Sequence, residues 1–207
     1  MADVLSTQYW TARYKNDIIN LLLKNSFFIK LMNPTMPATD NLDEIDVLLG
    51  GKWEFNGTTY EEPGYIFDYV YADSTTSIAK TFVFVEAFPT TIENNFMTEF
   101  DLTIFVCTHK SLVRLYDSDI FSETTCPTVQ EVRDAGFYSK DRGNRVDTLC
   151  DCIDRIVNGN EFIKGIGSIK GNPRAYVQNF APNEKFYGKV LRYRISNLVL
   201  DGDTCAN

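Results

Sequence analysis

The chain has little of what most catalytic sites require. Its 207 residues include one histidine and five cysteines, so an acid–base mechanism would depend on carboxylates or tyrosines. No Cys-x-x-Cys pair occurs, which argues against a zinc finger or a disulfide framework and favours free thiols. A Walker motif, a nucleophile elbow and an HExxH motif are also lacking. These patterns therefore indicate no catalytic residue, no cofactor and no metal.

Positive charge and long apolar runs are scarce as well. The net charge is −8 and the pI is about 4.7, which argues against tight binding to nucleic-acid phosphates. The longest apolar clusters, such as IINLLL at 18–23, are too short to span a bilayer. The first ten residues, MADVLSTQYW, lack the features of a signal peptide. We expect a soluble protein that is made in a cytoplasm and does not bind membranes.

Apolar and aromatic side chains are abundant, at 44% and 14% of the residues. That content supports a packed core, and the length fits a single domain over 1–207. We expect an N-terminal helical segment at 1–50 and an α+β core at about 51–200.

Helical spacing marks three segments. In STQYWTARYKNDIINLLLKN, apolar residues recur on one face that includes Tyr14 and Trp10. NLDEIDVLLGG predicts a short helix, capped by Asn41 and stopped by Gly50 and Gly51. GNRVDTLCDCIDRIVNG predicts a helix at about 144–158 with Asn144 as its cap.

Strand patterns occupy most of the remainder. An Asn-Gly pair between aromatic alternations predicts a hairpin near 53–60. The Phe-, Val- and Thr-rich segments 79–89 and 95–110 predict two adjacent antiparallel strands, and 161–171 and 185–200 predict two more. Residues 116–142 are polar and loop-like. The predicted fold is α+β, with a mostly antiparallel sheet packed by the N-terminal helix and the mid-chain helix.

Three aspartates offer one constellation that could carry chemistry. Asp147, Asp151 and Asp154 fall on one face of the predicted mid-chain helix, as the carboxylates of a metal-dependent nuclease would. A solvated helix face gives the same pattern. Both interpretations stay open at this point.

Thiols and the histidine offer weaker constellations. Cys150 and Cys152 point in divergent directions on that helix, so they cannot share a metal without a partner segment. Cys107 and His109 lie on the same side of a predicted strand, and a metal site with Cys126 is conceivable. Separately, Trp53, Tyr60 and Tyr65 look exposed and allow a carbohydrate-binding module.

Three segments together carry a family resemblance: TFVFVEAFPTTIENNFMTEFDLTIFVCTHK, GNRVDTLCDCIDRIVNG and FYGKVLRYRISNLVL. The first segment predicts two paired strands, the second a packing helix that begins GNR, and the third a strand that returns to the same sheet. The chain thereby resembles the neck ring proteins of tailed bacteriophages, in the head–tail connector and tail-terminator class, and those of crAss-like phages most of all. The resemblance covers roughly residues 80–200.

The resemblance implies a structural virion protein that is not an enzyme. Such proteins form homo-oligomeric rings, usually of six or twelve copies, which need two unlike patches on each subunit. They join the portal to the tail, contact adjacent portal, neck and tail proteins, and pass DNA through the lumen without binding it specifically. They are assembled in the host bacterial cytoplasm. A deletion of 120–138 is then expected to block virion assembly while leaving the fold intact.

Aromatic side chains are the natural anchors of such an interface. For the N-terminal aromatics, a place in the core is the alternative. The candidate interface residues are Tyr9, Trp10, Tyr14, Trp53, Tyr116 and Phe121.

Overall fold

The computed structural model describes residues 7–34, 43–55, 57–70, 78–93, 97–115, 129–136, 143–158, 162–163, 167–170 and 178–198. Helices come first among these residues, and strands make up most of the others. The helices are α1 (Thr7–Leu23), α2 (Ser26–Met32), α3 (Glu44–Leu49), α4 (Val129–Asp134) and α5 (Arg145–Asn158). The strands are β1 (Gly50–Phe55), β2 (Thr58–Pro63), β3 (Ile66–Phe67), β4 (Thr81–Glu93), β5 (Met97–His109), β6 (Arg114–Leu115), β7 (Gly143–Asn144), β8 (Phe162–Ile163), β9 (Gly167–Lys170), β10 (Gln178–Phe180) and β11 (Phe186–Leu198).

One sheet organises the fold. In the described part of the chain its strand order is β3-β4-β5-β11-β9-β8, and β10 pairs with β11 on the same edge as β9. The central strands β4, β5 and β11 each have 13 residues. Every pairing in this sheet is antiparallel except the short one between β3 and β4. The prediction of an α+β fold with a mostly antiparallel sheet is confirmed.

The two faces of the sheet follow from the alternation of side chains along a strand. Residues in register on the three central strands share one face, as Val85, Ile104 and Leu191 do, and they join the core under the helices. The intervening residues form a smaller aromatic cluster on the outer face, which includes Phe82, Phe84 and Phe186. The sheet therefore buries apolar side chains on both faces.

Helices α1 and α5 cover the inner face with the stripes that their sequences predict. Tyr14, Ile18 and Leu22 of α1 are fully buried. The buried stripe of α5 is made of Val146, Leu149, Ile153 and Val157. The amide N–H groups of Val146 and Asp147 lie 3.0 and 3.4 Å from Asn144 Oδ1. The prediction of Asn144 as the cap of this helix is confirmed.

The cap of α3 differs from the prediction. Asp43, not Asn41, precedes the helix, and its carboxylate accepts the N–H of Asp46 at 2.8 Å. Asp46 in turn accepts the N–H of Asp43 at 3.4 Å, which completes a capping box. Asn41 lies outside the described residues. Gly50 ends the helix with a φ of 72°, as the sequence predicts.

The predicted hairpin is present as a separate two-stranded sheet. Strands β1 and β2 pair from Gly50 opposite Pro63 to Phe55 opposite Thr58. Gly57 in the turn has a φ of 74°, a conformation that glycine adopts without strain. No helix in the described ranges is long and apolar enough to cross a membrane.

The prediction that 116–142 is entirely a loop is wrong in part, because α4 lies within it. Val132 of α4 is fully buried in the main core, and Glu131 lies 3.7 Å from Lys30 of α2. Strands β6 and β7 pair Leu115 with Gly143, which brings the two ends of this segment together. A deletion of 120–138 removes this core side chain and should destabilise the fold, which argues against the expectation that the fold stays intact.

A buried arginine joins α5 to α2 and to the segment between β5 and β6. Arg145, 3% exposed, donates from Nη1 to the carbonyl of Leu31 at the end of α2 at 2.9 Å. Its Nε donates to the carbonyl of Leu112 at 2.8 Å. The guanidinium thus occupies the negative end of the α2 dipole and satisfies carbonyls that a helix end leaves free.

Candidate assembly surfaces

One of the six candidate interface residues is part of the core. Tyr14 is fully buried and its ring packs edge-on against Phe100, with 4.8 Å between centroids. It is therefore not available to a neighbouring subunit, and its place in the interface list is wrong. Tyr9 and Trp10 lie in α1, and Trp53 lies in β1 opposite Tyr60.

For the other five candidates the structure describes no side chain. The side chains of Tyr9, Trp10 and Trp53 are among those not described, and Tyr116 and Phe121 lie outside the described residues altogether. Their role in an interface stays a prediction.

The proposed sugar-binding aromatics do not form an exposed set. Tyr65 is 1% exposed, and the ammonium of Lys80 lies 4.5 Å from the centre of its ring. A ring held in this way cannot stack on a carbohydrate. The expectation that Tyr65 is exposed is wrong, because the residue belongs to the main core between α3 and β3.

Each of the three aspartates on α5 has a separate partner. Asp147 pairs with Lys189 of β11, and Asp151 lies 2.9 Å from Arg155. Asp154 accepts the hydroxyl of Tyr193 at 3.0 Å. The carboxylates therefore diverge, and the described residues contain no group of three His, Cys, Asp or Glu side chains that could hold a metal.

These contacts shift the pKa values of the partners on β11. Burial alone would lower the pKa of Lys189, but the hydrogen bond and charge of Asp147 outweigh it and raise that pKa. Burial, followed by the charge of Asp154, raises the pKa of the Tyr193 hydroxyl above its ordinary range. Both side chains therefore stay protonated near neutral pH and fasten α5 to the sheet.

The thiols on the described residues are packing groups. Burial raises the pKa of Cys107, Cys150 and Cys152 to about 12, so they are poor nucleophiles at neutral pH. His109 contacts Phe186 with its ring and Ser111 Oγ at 2.7 Å with its Nδ1. Cys126, the third residue of the conceivable metal site, lies outside the described residues.

Exposed apolar side chains lie on and beside β4, beyond its short pairing with β3, and sequence reasoning missed them. Tyr69, Val70 and Phe88 are 49%, 39% and 53% exposed. The ring of Tyr69 packs against Phe67, and the amide N–H of Val70 donates to Glu86 of β4 at 3.0 Å. Glu86 and Phe88 are on the same side of β4. We call these three exposed residues the β4-edge strip.

The segment of the β4-edge strip that carries Tyr69 and Val70 is held in place by Glu86 of β4 and Lys15 of α1, which form a salt bridge. The ammonium of Lys15 lies 3.7 Å from Glu86 Oε2, and both side chains are 15% exposed. The same ammonium donates to the carbonyl of Asp68. The segment that carries Tyr69 and Val70 is therefore ordered before any partner arrives, which lowers the entropic cost of binding.

Strand addition is hindered along this edge. Pro89 lacks an N–H group, and the β4–β5 register shifts between Pro89 and Thr91. The hydroxyl of Thr90, in the bulge, donates to the carbonyl of Glu99 at 3.1 Å. Proline and bulges are the devices by which natural sheets avoid edge-to-edge pairing, so a partner at this edge would bind through side chains.

A second exposed apolar pair lies on α3. Ile45 and Leu49 are 36% and 47% exposed and stand one turn apart. The opposite face of the helix buries Val47 and Leu48, and the carbonyl of Leu48 accepts the N–H of Tyr65 at 2.7 Å. The helix is thus fixed on the core with its apolar pair outward.

The described residues thus present two sets of exposed apolar side chains on an α+β fold, the β4-edge strip and the pair on α3. A protein-family model described as YomW matches residues 16–195. The chain belongs to the YomW family, and it is a phage-associated protein. Neither the curated proteins nor the solved structures yielded a match.

Proposed function

We propose that the protein is a structural component of a phage particle that forms a homo-oligomeric ring in the neck, between the portal and the tail. The observation that carries the proposal is the β4-edge strip: a phage-associated chain exposes three apolar side chains in one region of its sheet, and the segment with Tyr69 and Val70 is tied to Glu86 and Lys15. Exposed apolar side chains grouped in one region are typical of surfaces that bind another protein. In this proposal the protein is not an enzyme, and DNA passes the ring without specific contacts.

The acidic character of the chain is compatible with this role. A net charge of −8 on each copy gives an acidic ring, and an acidic lumen would repel phosphates and let DNA slide rather than bind. The neighbours in this proposal are the adjacent portal, neck and tail proteins, and the ring is assembled in the host cytoplasm.

Native mass is the direct test. Light scattering of the purified chain, with negative-stain images of the same sample, should give a closed ring of defined copy number. Incorporation should be followed by mass spectrometry of purified virions. A chain that is absent from mature virions, and that stays monomeric in solution, contradicts the proposal.

The contribution of the β4-edge strip is tested by Phe88→Ser, with Ile78→Ser as its matched control. Ile78 is an exposed apolar residue, 43% exposed, outside the strip. We expect Phe88→Ser to lower particle yield and Ile78→Ser to leave it unchanged, with both variants as stable as the parent. Equal particle yields from the two variants would show that the β4-edge strip does not contribute to assembly.

A further inference from the structure

An open groove lies among the helices on the inner side of the molecule. Its volume is about 500 Å³, within the ~300–1,000 Å³ typical of sites that bury a bound group. The floor is apolar, with Leu21 of α1, Phe27 of α2 and Ile156 of α5 half-buried, and Cys152 buried. Lys24 adds positive charge to its lining, whereas the Arg155 guanidinium in the same lining is balanced by its ion pair with Asp151 at 2.9 Å.

The exposed face of α3 has the complementary properties. Its apolar pair, Ile45 and Leu49, has the i, i+4 spacing with which an amphipathic helix enters a groove. Asp43 and Asp46 are both exposed beside that pair, so the helix presents negative charge around an apolar centre. The groove offers positive charge around an apolar floor.

The groove is not filled by the α3 of its own chain. Ile45 and Leu49 are absent from its lining and stay 36% and 47% exposed. Val47 and Leu48 hold the other face of α3 in the core, so the helix cannot turn its exposed pair inward. An α3 that enters the groove must therefore come from another copy.

We propose that α3 of one copy docks into the α1–α2–α5 groove of the next copy, with Ile45 and Leu49 on the apolar floor and Asp43 and Asp46 near Lys24. The inference rests on the proposed ring and specifies its contact. Each copy gives one α3 and receives one, so the interface is heterologous and closes into a ring by rotation. Because the copies repel through their net charge of −8, the opposite charges at this contact favour the correct orientation.

Cross-linking of single-cysteine additions tests the pairing without requiring a stable oligomer. Leu49→Cys and Ala135→Cys, each in the 207-residue chain, are mixed and treated with a short bis-maleimide, since Ala135 also lines the groove and carries no part of the contact. We expect a dimer that contains one copy of each variant, and a ladder of multimers from the double variant. The parent chain reports any background from its natural cysteines, and Ile78→Cys mixed with Ala135→Cys is the matched control at another exposed apolar position.

Two results would overturn the pairing. One is a mixture that gives no more dimer than the parent chain or the Ile78→Cys control. The other is a dimer of Leu49→Cys with itself, which would show an α3–α3 contact. If light scattering shows a ring while the cross-link fails, the ring stands and this contact is wrong; if both fail, both proposals fall.

A loss-of-contact variant gives an independent measurement. Leu49→Ser changes an exposed side chain, so the fold should persist, and the dissociation constant between copies should rise roughly tenfold. Raising the salt concentration should weaken association of the parent chain, because the charges at the rim of the groove become screened. Unchanged association of Leu49→Ser would contradict the proposal.

Discussion

Lys15 and Glu86 form a salt bridge across the edge of the sheet, with Lys15 Nζ 3.7 Å from Glu86 Oε2. The other carboxylate oxygen of Glu86 accepts the N–H of Val70 at 3.0 Å. One acidic side chain therefore connects helix α1, strand β4 and the segment that presents the β4-edge strip.

Two replacements of Glu86 should separate the contribution of its charge, which pairs with Lys15, from that of its hydrogen bond to Val70. Glu86→Gln keeps an oxygen for the Val70 N–H, whereas Glu86→Ala removes both contacts. We expect Glu86→Ala to lower the free energy of unfolding by about 1.5 kcal/mol and Glu86→Gln by less. Hydrogen exchange at the Val70 amide should accelerate in the alanine variant. Equal exchange rates in the two variants would show that Glu86 does not hold this segment.

Arg145 should be far more important for stability than another arginine on the same helix. Arg145→Met leaves the carbonyls of Leu31 and Leu112 without their buried donor, and we expect a loss of about 3 kcal/mol in urea unfolding. The control is Arg155→Met, because the Arg155 side chain is 49% exposed and its ion pair with Asp151 should contribute less than about 1 kcal/mol. Similar costs for both variants would contradict the role assigned to Arg145.

Gly188 allows two strands to approach closely. A Cβ atom added there would lie 2.4 Å from the carbonyl oxygen of Val106 and 2.8 Å from that of Phe180. We expect Gly188→Ala to cost about 3 kcal/mol, at the upper end for overpacking, because backbone atoms cannot move aside. Thermal or urea unfolding measures this cost.

Gly143 provides the control for that substitution. A Cβ atom there would first meet the Leu115 side chain, whose Cδ1 is 3.1 Å away. A side chain can shift by a few tenths of an ångström, so Gly143→Ala should cost much less than Gly188→Ala. The reverse order would show that the approach of β5 and β10 to β11 at Gly188 is not tight.

The spacing of apolar residues predicts which side chains of the long strands and helices are buried. The alternation in β4 and β5 and the stripe of α5 place Val85, Ile104 and Leu149 in the core, as the structure has them. In each case the period of the apolar residues and the direction of burial agree. The same information gives the caps of helices when one candidate stands alone, as Asn144 does.

Contacts between distant segments decide what the sequence leaves open. Tyr65 looks like a surface aromatic until α3 and Lys80 cover it, and Tyr14 resembles an interface anchor until Phe100 packs against it. Helix α4 escapes prediction because it has only six residues, of which Val132 supplies the fully buried contact. The sequence does not predict the exposure of Phe88 either, because Phe88 continues the alternating pattern of the buried Phe82 and Phe84 in the same strand.

Stability should fall in alkaline solution because of the buried thiols. Burial raises the pKa of Cys107 from its ordinary 9.0 to about 12, and Cys150 and Cys152 behave alike. Above pH 9 the unfolded chain loses these protons while the folded chain keeps them. The free energy of unfolding should therefore be unaffected by these thiols below pH 9 and fall above it, by at most about 1.4 kcal/mol per pH unit for each thiol.

Urea unfolding at several pH values between 8 and 11 measures that slope, and Cys107→Ala assigns part of it. Cys107 is the thiol whose pKa is raised by burial alone, so removing it should reduce the slope by the contribution of one proton. The variant will be less stable at every pH because a core atom is lost, but its curve should be flatter between pH 9 and 11. A curve parallel to that of the parent would mean that Cys107 ionises in the folded protein as readily as in the unfolded chain, and that solvent reaches the sheet between β4 and β11.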